Sequence, residues 1–246
     1  MSRATHHPRI DLHAFAEDLL LRAGGEHVEN LLPAVEGRKR ADIAFAGERV
    51  IVEVKSLTND RGNDPAVQET MNRLIVEDGP ALGGPIIFGQ ASVRLDKLPD
   101  KLARQAFRLL GNRVRREVGS ANRQIRETVE DLRWGTGQGV VLFIVPPMKI
   151  NLHLIGWAVF DAIRGGANSS INSLVMVECY APDEHVRNLV VSHHSIAGVG
   201  VPTSILRGLH SAVTEVLGAT PHEMGEDDFF RRYEIDPRQK GKLERE

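Results

Sequence analysis

The sequence predicts one α/β domain. Two observations carry that prediction. Segments with apolar residues at helical spacing alternate with short β-branched apolar runs of strand length. No internal repeat or linker interrupts them, and 246 residues with 41% apolar and 26% charged side chains can bury a single substantial core.

Taken in order, Asp11 is placed to cap a helix in which Leu12, Phe15, Ala16, Leu19, Leu20 and Ala23 share one face, and Gly24-Gly25 ends it. His27–Leu32 reads as extended and stops at Pro33. Ala41–Phe45 and Val50–Val54 read as two strands joined by a turn at Gly47-Glu48. Thr58–Asp64 is polar and loop-like, and a helix starts near Pro65. Residues 79–96 carry several Gly and Pro around Ile86-Ile87-Phe88, and no element is assigned to them. Lys97–Arg133 is helical, with breaks expected near Gly111 and Gly119 and a fresh N-cap at Ser120. Val140–Val145, halted by Pro146-Pro147, has the unbroken hydrophobicity of a strand buried on both faces. A helix over 151–164, strands at Leu174–Tyr180 and Leu189–Ser192, and a helix over 202–217 complete the domain, which is taken as residues 1–220. Residues 221–246 read as a mixed-charge, flexible tail.

Function classes narrow quickly. No run approaches the roughly 20 apolar residues of a membrane helix. The N-terminus lacks the apolar core of a signal peptide, so a cytoplasmic protein without membrane association is expected. The one cysteine, Cys179, excludes an internal disulfide framework and a Cys-rich zinc site. The net charge of −2 conceals an asymmetry. Between Lys101 and Arg126, eight cations (Lys101, Arg104, Arg108, Arg113, Arg115, Arg116, Arg123 and Arg126) face Glu117 alone, a local net of +7. Such a stripe suits phosphate contact, and equally a solvated helix face.

The chemistry concentrates in the hairpin. A two-residue turn at Gly47-Glu48 sets Phe45 opposite Val50, Ile43 opposite Val52, and Asp42 opposite Glu53. Because side chains alternate, one face carries Ile43, Phe45, Val50, Val52 and Val54, all apolar. The other carries Asp42, Ala44, Ile51, Glu53 and Lys55. Opposed carboxylates repel by about 3 kcal/mol at an effective dielectric near 20. A divalent cation between them resolves that repulsion, and oxygen ligands favour Mg²⁺. The competing explanation is a simple Lys55–Glu53 surface ion pair, worth roughly 0–1 kcal/mol.

Ala41-Asp42 followed by Val52-Glu53-Val54-Lys55 resembles the core motif of the PD-(D/E)XK, or restriction-endonuclease-like, superfamily. The resemblance spans roughly residues 11–57 and 120–146, with Ala41 where that motif usually has proline. It implies a restriction-endonuclease-like core, a mixed central sheet flanked by helices, with a helical insertion at about 58–119 and a C-terminal α/β extension. It further implies metal-dependent hydrolysis of a phosphodiester in nucleic acid, with DNA cleaved endonucleolytically. Asp42, Glu53 and the Val54 carbonyl would hold Mg²⁺, for which Mn²⁺ can substitute. Lys55 would orient or activate the attacking water. Glu17 of the first helix matches a further acidic ligand, in competition with Glu26 and Glu29. Gln124, in Asn-Arg-Gln-Ile-Arg-Glu-Thr, matches a glutamine on the helix before the buried strand. Nucleic acid would lie along Lys101–Arg126, and a homodimer that cuts two strands fits the same reading. The alternative is a catalytically silent module of this fold that binds nucleic acid or a protein.

Other motifs carry less. His6-His7 and His193-His194 are adjacent pairs, whose side chains diverge on a strand. His222-Glu223 has Glu226 where a zinc-protease helix needs its second histidine. Ala197-Gly198-Val199-Gly200 lacks the third glycine of a dinucleotide-binding turn. Cys179 reads as a packing residue.

Overall fold

The computed structural model describes residues 10–58, 64–78, 100–147, 152–164, 166–181, 185–196 and 198–218. The anticipated tail at 221–246 and the unassigned stretch 79–96 lie outside these residues. The elements are α1 (Leu12–Arg22), β1 (Glu26–His27), α2 (Val28–Leu31), β2 (Ile43–Phe45), β3 (Val50–Ser56) and α3 (Pro65–Asp78). They continue with α4 (Asp100–Asp131), β4 (Gln138–Val145), α5 (Leu152–Ile163), β5 (Ser173–Tyr180), β6 (Asn188–Ser195) and α6 (Thr203–Leu217). No described helix is long and apolar enough to cross a membrane.

The six strands form one mixed sheet in the order β1-β2-β3-β4-β5-β6. β3, β4 and β5 run parallel, whereas β1, β2 and β6 attach antiparallel. The parallel connections have room for helices, α4 between β3 and β4 and α5 between β4 and β5. Both sheet faces are covered, which explains why β4 is apolar almost throughout: its last seven residues are buried. On one face Ile43, Phe45, Val50, Val52 and Val54 pack with Leu12, Ala16, Leu19 and Leu20 of α1 and Ile205 and Leu209 of α6. On the other, Ala44, Ile51, Val141 and Phe143 pack with Val114, Val118 and Ile125 of α4 and Ile155 and Val159 of α5.

α1 begins and ends as the sequence indicates. The Asp11 carboxylate accepts from the amides of His13 and Ala14 at 2.9 and 3.2 Å. At the other end Gly24 takes φ +98°, and the amides of Gly24 and Gly25 return to the carbonyls of Leu21 and Leu20.

Two expectations need correction. His27–Leu32 is not extended: only Glu26–His27 pairs with β2, and Val28–Leu31 makes a helical turn. Val28, Leu31 and Leu32 stand at i, i+3 and i+4, and that turn sets all three against the α4 side of the core. The second correction concerns α4, which is one unbroken 32-residue helix. Gly111 lets α5 approach closely, since a Cβ there would lie 2.8 Å from the Cβ of Ala158. Gly119 is exposed with open space around it. Ser120 is mid-helix and donates to Gln124 Oε1 at 2.9 Å, so it caps nothing.

These two glycines should respond oppositely to alanine in a urea-unfolding comparison. Gly119→Ala should stabilise the protein by about 0.5–1 kcal/mol, the usual gain within a helix. Gly111→Ala should cost about 1–3 kcal/mol through overpacking against α5. A clear loss at Gly119 would restore the expected break.

Candidate metal centre

The site is built on the β2–β3 hairpin. Ile43 pairs with Val52, Ala44 with Ile51 and Phe45 with Val50, the register set by the turn at Gly47-Glu48. Arg49 absorbs the turn by taking φ +55°. The ladder stops at Ile43, so Asp42 lies one residue outside the paired strand and not within it as expected. Its backbone carbonyl accepts from the Val28 amide at 3.0 Å. Its Oδ2 accepts from the Val54 amide at 2.7 Å, and that contact ties it to β3 beside Glu53.

Glu53 and Lys55 project from the face of β3 that α4 covers. Glu53 is buried, its side chain 2% exposed, and Lys55 Nζ meets its Oε1 at 2.6 Å. Among the described residues its other oxygen, Oε2, is buried without a hydrogen-bond partner. Burial pushes the Glu53 carboxyl up to about 8, and the neighbouring Asp42 carboxylate adds to the rise. Lys55 pulls in the opposite direction and is outweighed. Near neutral pH this carboxyl therefore holds a proton readily, and an additional cation beside it would favour its charged form.

α4 fixes the surroundings. Gln124, also buried, accepts from Lys55 Nζ at 3.2 Å through Oε1 and donates through Nε2 to the Arg40 carbonyl at 3.0 Å. One helical turn on, Thr128 Oγ1 accepts from the Ala41 amide at 2.9 Å and donates to the Gln124 carbonyl at 2.7 Å. The backbone entering Asp42 is thus held at two consecutive residues. Arg38 and Arg40 reinforce the clamp by pairing with Asp131 at 3.0 and 3.2 Å.

Across the end of the hairpin, α1 presents His13 and Glu17. His13 Nε2 lies 3.5 Å from Glu17 Oε1 and 3.9 Å from Asp42 Oδ1. One ligand atom from each of the three residues falls within 4.8 Å of the other two. Glu17 therefore stands with Asp42, whereas Glu26 and Glu29 are exposed on β1 and α2. Val54 turns its side chain into the opposite core. The structure thus gathers Asp42, Glu53, Lys55 and Gln124 in one connected set and sets Glu17 against Asp42. His13 and Thr128 were missed. Thr128 is legible only as the residue one turn beyond Gln124, and His13 only as the partner of Glu17 at i, i+4.

The basic stretch divides. Lys101, Arg104, Arg108, Arg116, Arg123 and Arg126 are exposed on the side of α4 away from the sheet. At about 100° per residue, Arg116 and Arg123 lie roughly a quarter turn from Gln124. Arg115 is engaged internally, bonded to Asp161 at 2.9 Å and stacked over Trp157. Arg126 lies 3.9 Å from Glu130. Elsewhere, Cys179 is buried and its thiol is pushed up to about 12 by burial, as suits a packing residue.

Comparison of the chain with protein-family models, curated proteins and solved structures finds no match.

Two outcomes follow from this geometry. Thr128→Val should cost about 1–3 kcal/mol, because the Ala41 amide loses its acceptor. Thr128→Ser should retain most of that stability, and a neutral valine variant in chemical denaturation would remove the clamp from the argument. The Glu53 carboxyl gives a pH dependence whose sign is fixed. Its folded value lies above the ordinary 4.5, so the folded chain binds more protons than the unfolded one between there and about 8. In EDTA the thermal midpoint should fall as pH rises across that window, by the equivalent of a few kcal/mol. Glu53→Gln should flatten the curve, and an unchanged slope in that variant would assign the dependence elsewhere.

Proposed function

We propose that this protein hydrolyses phosphodiester bonds in nucleic acid, with DNA as the favoured substrate, using Asp42, Glu53 and Lys55 and a divalent cation, Mg²⁺ or Mn²⁺. The observation that carries the reading is Glu53, buried with Oε2 unpartnered, placed between Lys55 and Asp42 at the end of a hairpin. A surface ion pair has no need of that burial. Element order supports a restriction-endonuclease-like core: a first helix, the β2–β3 hairpin, the Gln124-bearing helix, then β4 parallel to β3.

The donor set fits the cation. Asp42 keeps Oδ1 toward α1 while Oδ2 is tied to the Val54 amide, and Glu53 offers Oε2. Glu17 and the Val54 carbonyl would add oxygens. Bound there, the cation would supply Lewis-acid polarisation and a lowered pKa for coordinated water.

The chain's own contribution is orientation and charge. Lys55 Nζ, held between Glu53 and Gln124, would present its ammonium to the scissile phosphate and offset the charge that builds in the transition state. The Gln124 amide spans Lys55 and the Arg40 carbonyl, so it would keep the ammonium and the Asp42 backbone in fixed relation. Asp42 and Glu53 would stay ionised in the loaded site. The exposed cations of α4 would hold the phosphate backbone by charge alone, with affinity that falls as salt rises.

Plasmid and single-stranded DNA, incubated with Mg²⁺, Mn²⁺ or EDTA, test the reading. Cation-dependent cleavage by the wild type should drop at least about a hundredfold in Lys55→Ala and in Asp42→Ala, with folding retained by circular dichroism. Cleavage that survives either substitution would remove that residue from the chemistry. A folded wild type that binds DNA and never cuts would favour a nucleic-acid-binding module.

A further inference from the structure

We propose that His13 is a nitrogen ligand of the site's cation, and that the chain therefore selects a borderline divalent ion such as Mn²⁺ over Mg²⁺. The inference rests on the cation site proposed above and adds to it a residue from outside the hairpin.

Three observations lead there. The first is convergence. His13 Nε2 faces the carboxylate oxygens of Glu17 and Asp42 at 3.5 and 3.9 Å, too long for hydrogen bonds. Yet one ligand atom from each lies within 4.8 Å of the others, which is within the span of donors that share a cation at about 2.0–2.6 Å. An i, i+4 histidine–glutamate pair formed for helix stability alone gives no reason for a third group, from the far end of a different element, to approach the same nitrogen.

The second observation is independent of that cluster. Glu53 Oε2 is buried without a hydrogen-bond partner among the described residues, and the carboxyl feels the charge of Asp42, the member shared with the cluster. Asp42 is thus a neighbour of both the buried Glu53 carboxyl and the imidazole. A cation among them would satisfy Oε2 and neutralise the repulsion between Asp42 and Glu53.

The third is preorganisation. Asp11 caps α1 through the amides of His13 and Ala14, so the first turn that carries His13 is fixed. Ala16, Leu19 and Leu20 hold the same helix against the sheet. The imidazole therefore approaches from a rigid element, and only its side-chain rotamer remains to be set.

The ligand chemistry then decides the ion. Mg²⁺ prefers all-oxygen octahedra and retains its waters, whereas imidazole nitrogen is a ligand for borderline transition metals. One nitrogen among carboxylates shifts preference toward Mn²⁺ without excluding Mg²⁺.

The test uses the full chain. Mn²⁺ binding is measured by electron paramagnetic resonance and Mg²⁺ binding by calorimetry, for wild type, His13→Ala, His13→Asn and Glu53→Gln. The wild type should bind Mn²⁺ with a pulsed-resonance coupling to ¹⁴N, a signature that a merely structural histidine cannot produce. His13→Ala should lose that coupling and weaken Mn²⁺ by at least about tenfold, since loss of even an outer-shell partner of a metal ligand costs that much. Mg²⁺ affinity should change far less, and His13→Asn should recover part of the Mn²⁺ affinity through its amide oxygen. Glu53→Gln should weaken both ions. Bound Mn²⁺ without ¹⁴N coupling, or with coupling that persists in His13→Ala, overturns the assignment while leaving the hydrolase reading in place. Coupling lost in His13→Ala, in a chain that cuts no DNA with either ion, upholds the ligand and overturns the hydrolase. No Mn²⁺ binding by the wild type overturns the cation site and His13's role together.

Discussion

A carboxylate in a protein core must be neutralised, hydrogen-bonded or protonated, and at Glu53 the first two are incomplete. Lys55 meets one oxygen at 2.6 Å, the other has no donor among the described residues, and Asp42 adds a second negative charge beside it. A single buried ion pair seldom offsets the desolvation of both partners. The imbalance is local, and it depends on the hairpin keeping one register. A slip of one residue would move Glu53 and Lys55 into the α1–α6 core and turn Val52 and Val54 toward α4. That outcome is opposed by Phe45, Val50, Ile43 and Val52, whose apolar side chains fill the space against α1 and α6. Hydrophobic packing on one face thus maintains an electrostatic demand on the other.

α4 converts that demand into a defined geometry. Its inner surface packs Val114, Val118 and Ile125 on the sheet, and the flank beside them carries Ser120, Gln124 and Thr128. The Gln124 amide and the Thr128 hydroxyl hold the residues that lead into Asp42, while Gln124 also accepts from Lys55. The outward surface carries the exposed cations. An uninterrupted helix matters here, because a break near Gly119 would free the turn holding Gln124 from the packing at Gly111 and Val114. Unlike the six exposed cations, Arg115 is turned inward to Asp161 and Trp157, so a count of charges along the sequence overstates what is available to a ligand.

The hairpin was legible because its signal is local. Strand alternation and a short turn suffice to set which residues share a face, and the observed pairing of Ile43, Ala44 and Phe45 with Val52, Ile51 and Val50 is that register. The limits of the reading are local too. Asp42 lies just beyond the ladder because its carbonyl and carboxylate serve the Val28 and Val54 amides, contacts between elements that no periodicity reports. Glycine misled the reading of α4: Gly111 and Gly119 look like breaks, yet one permits a close helix crossing and the other is tolerated on an exposed turn. Val28, Leu31 and Leu32 carried a helical spacing too short to recognise in isolation.

By itself the sequence determined the alternation of helices and strands, the two faces of the hairpin, and the presence of Glu53 and Lys55 together on one of them. Those follow from backbone periodicity, which acts over a few residues. Only the tertiary structure decided that Glu53 would be buried with an oxygen unpartnered, that Thr128 and Gln124 would clamp the approach to Asp42, and that His13 would face the same carboxylate from α1. These depend on how helices seat on the two faces of the sheet, and that is set by the packing of side chains far apart in sequence.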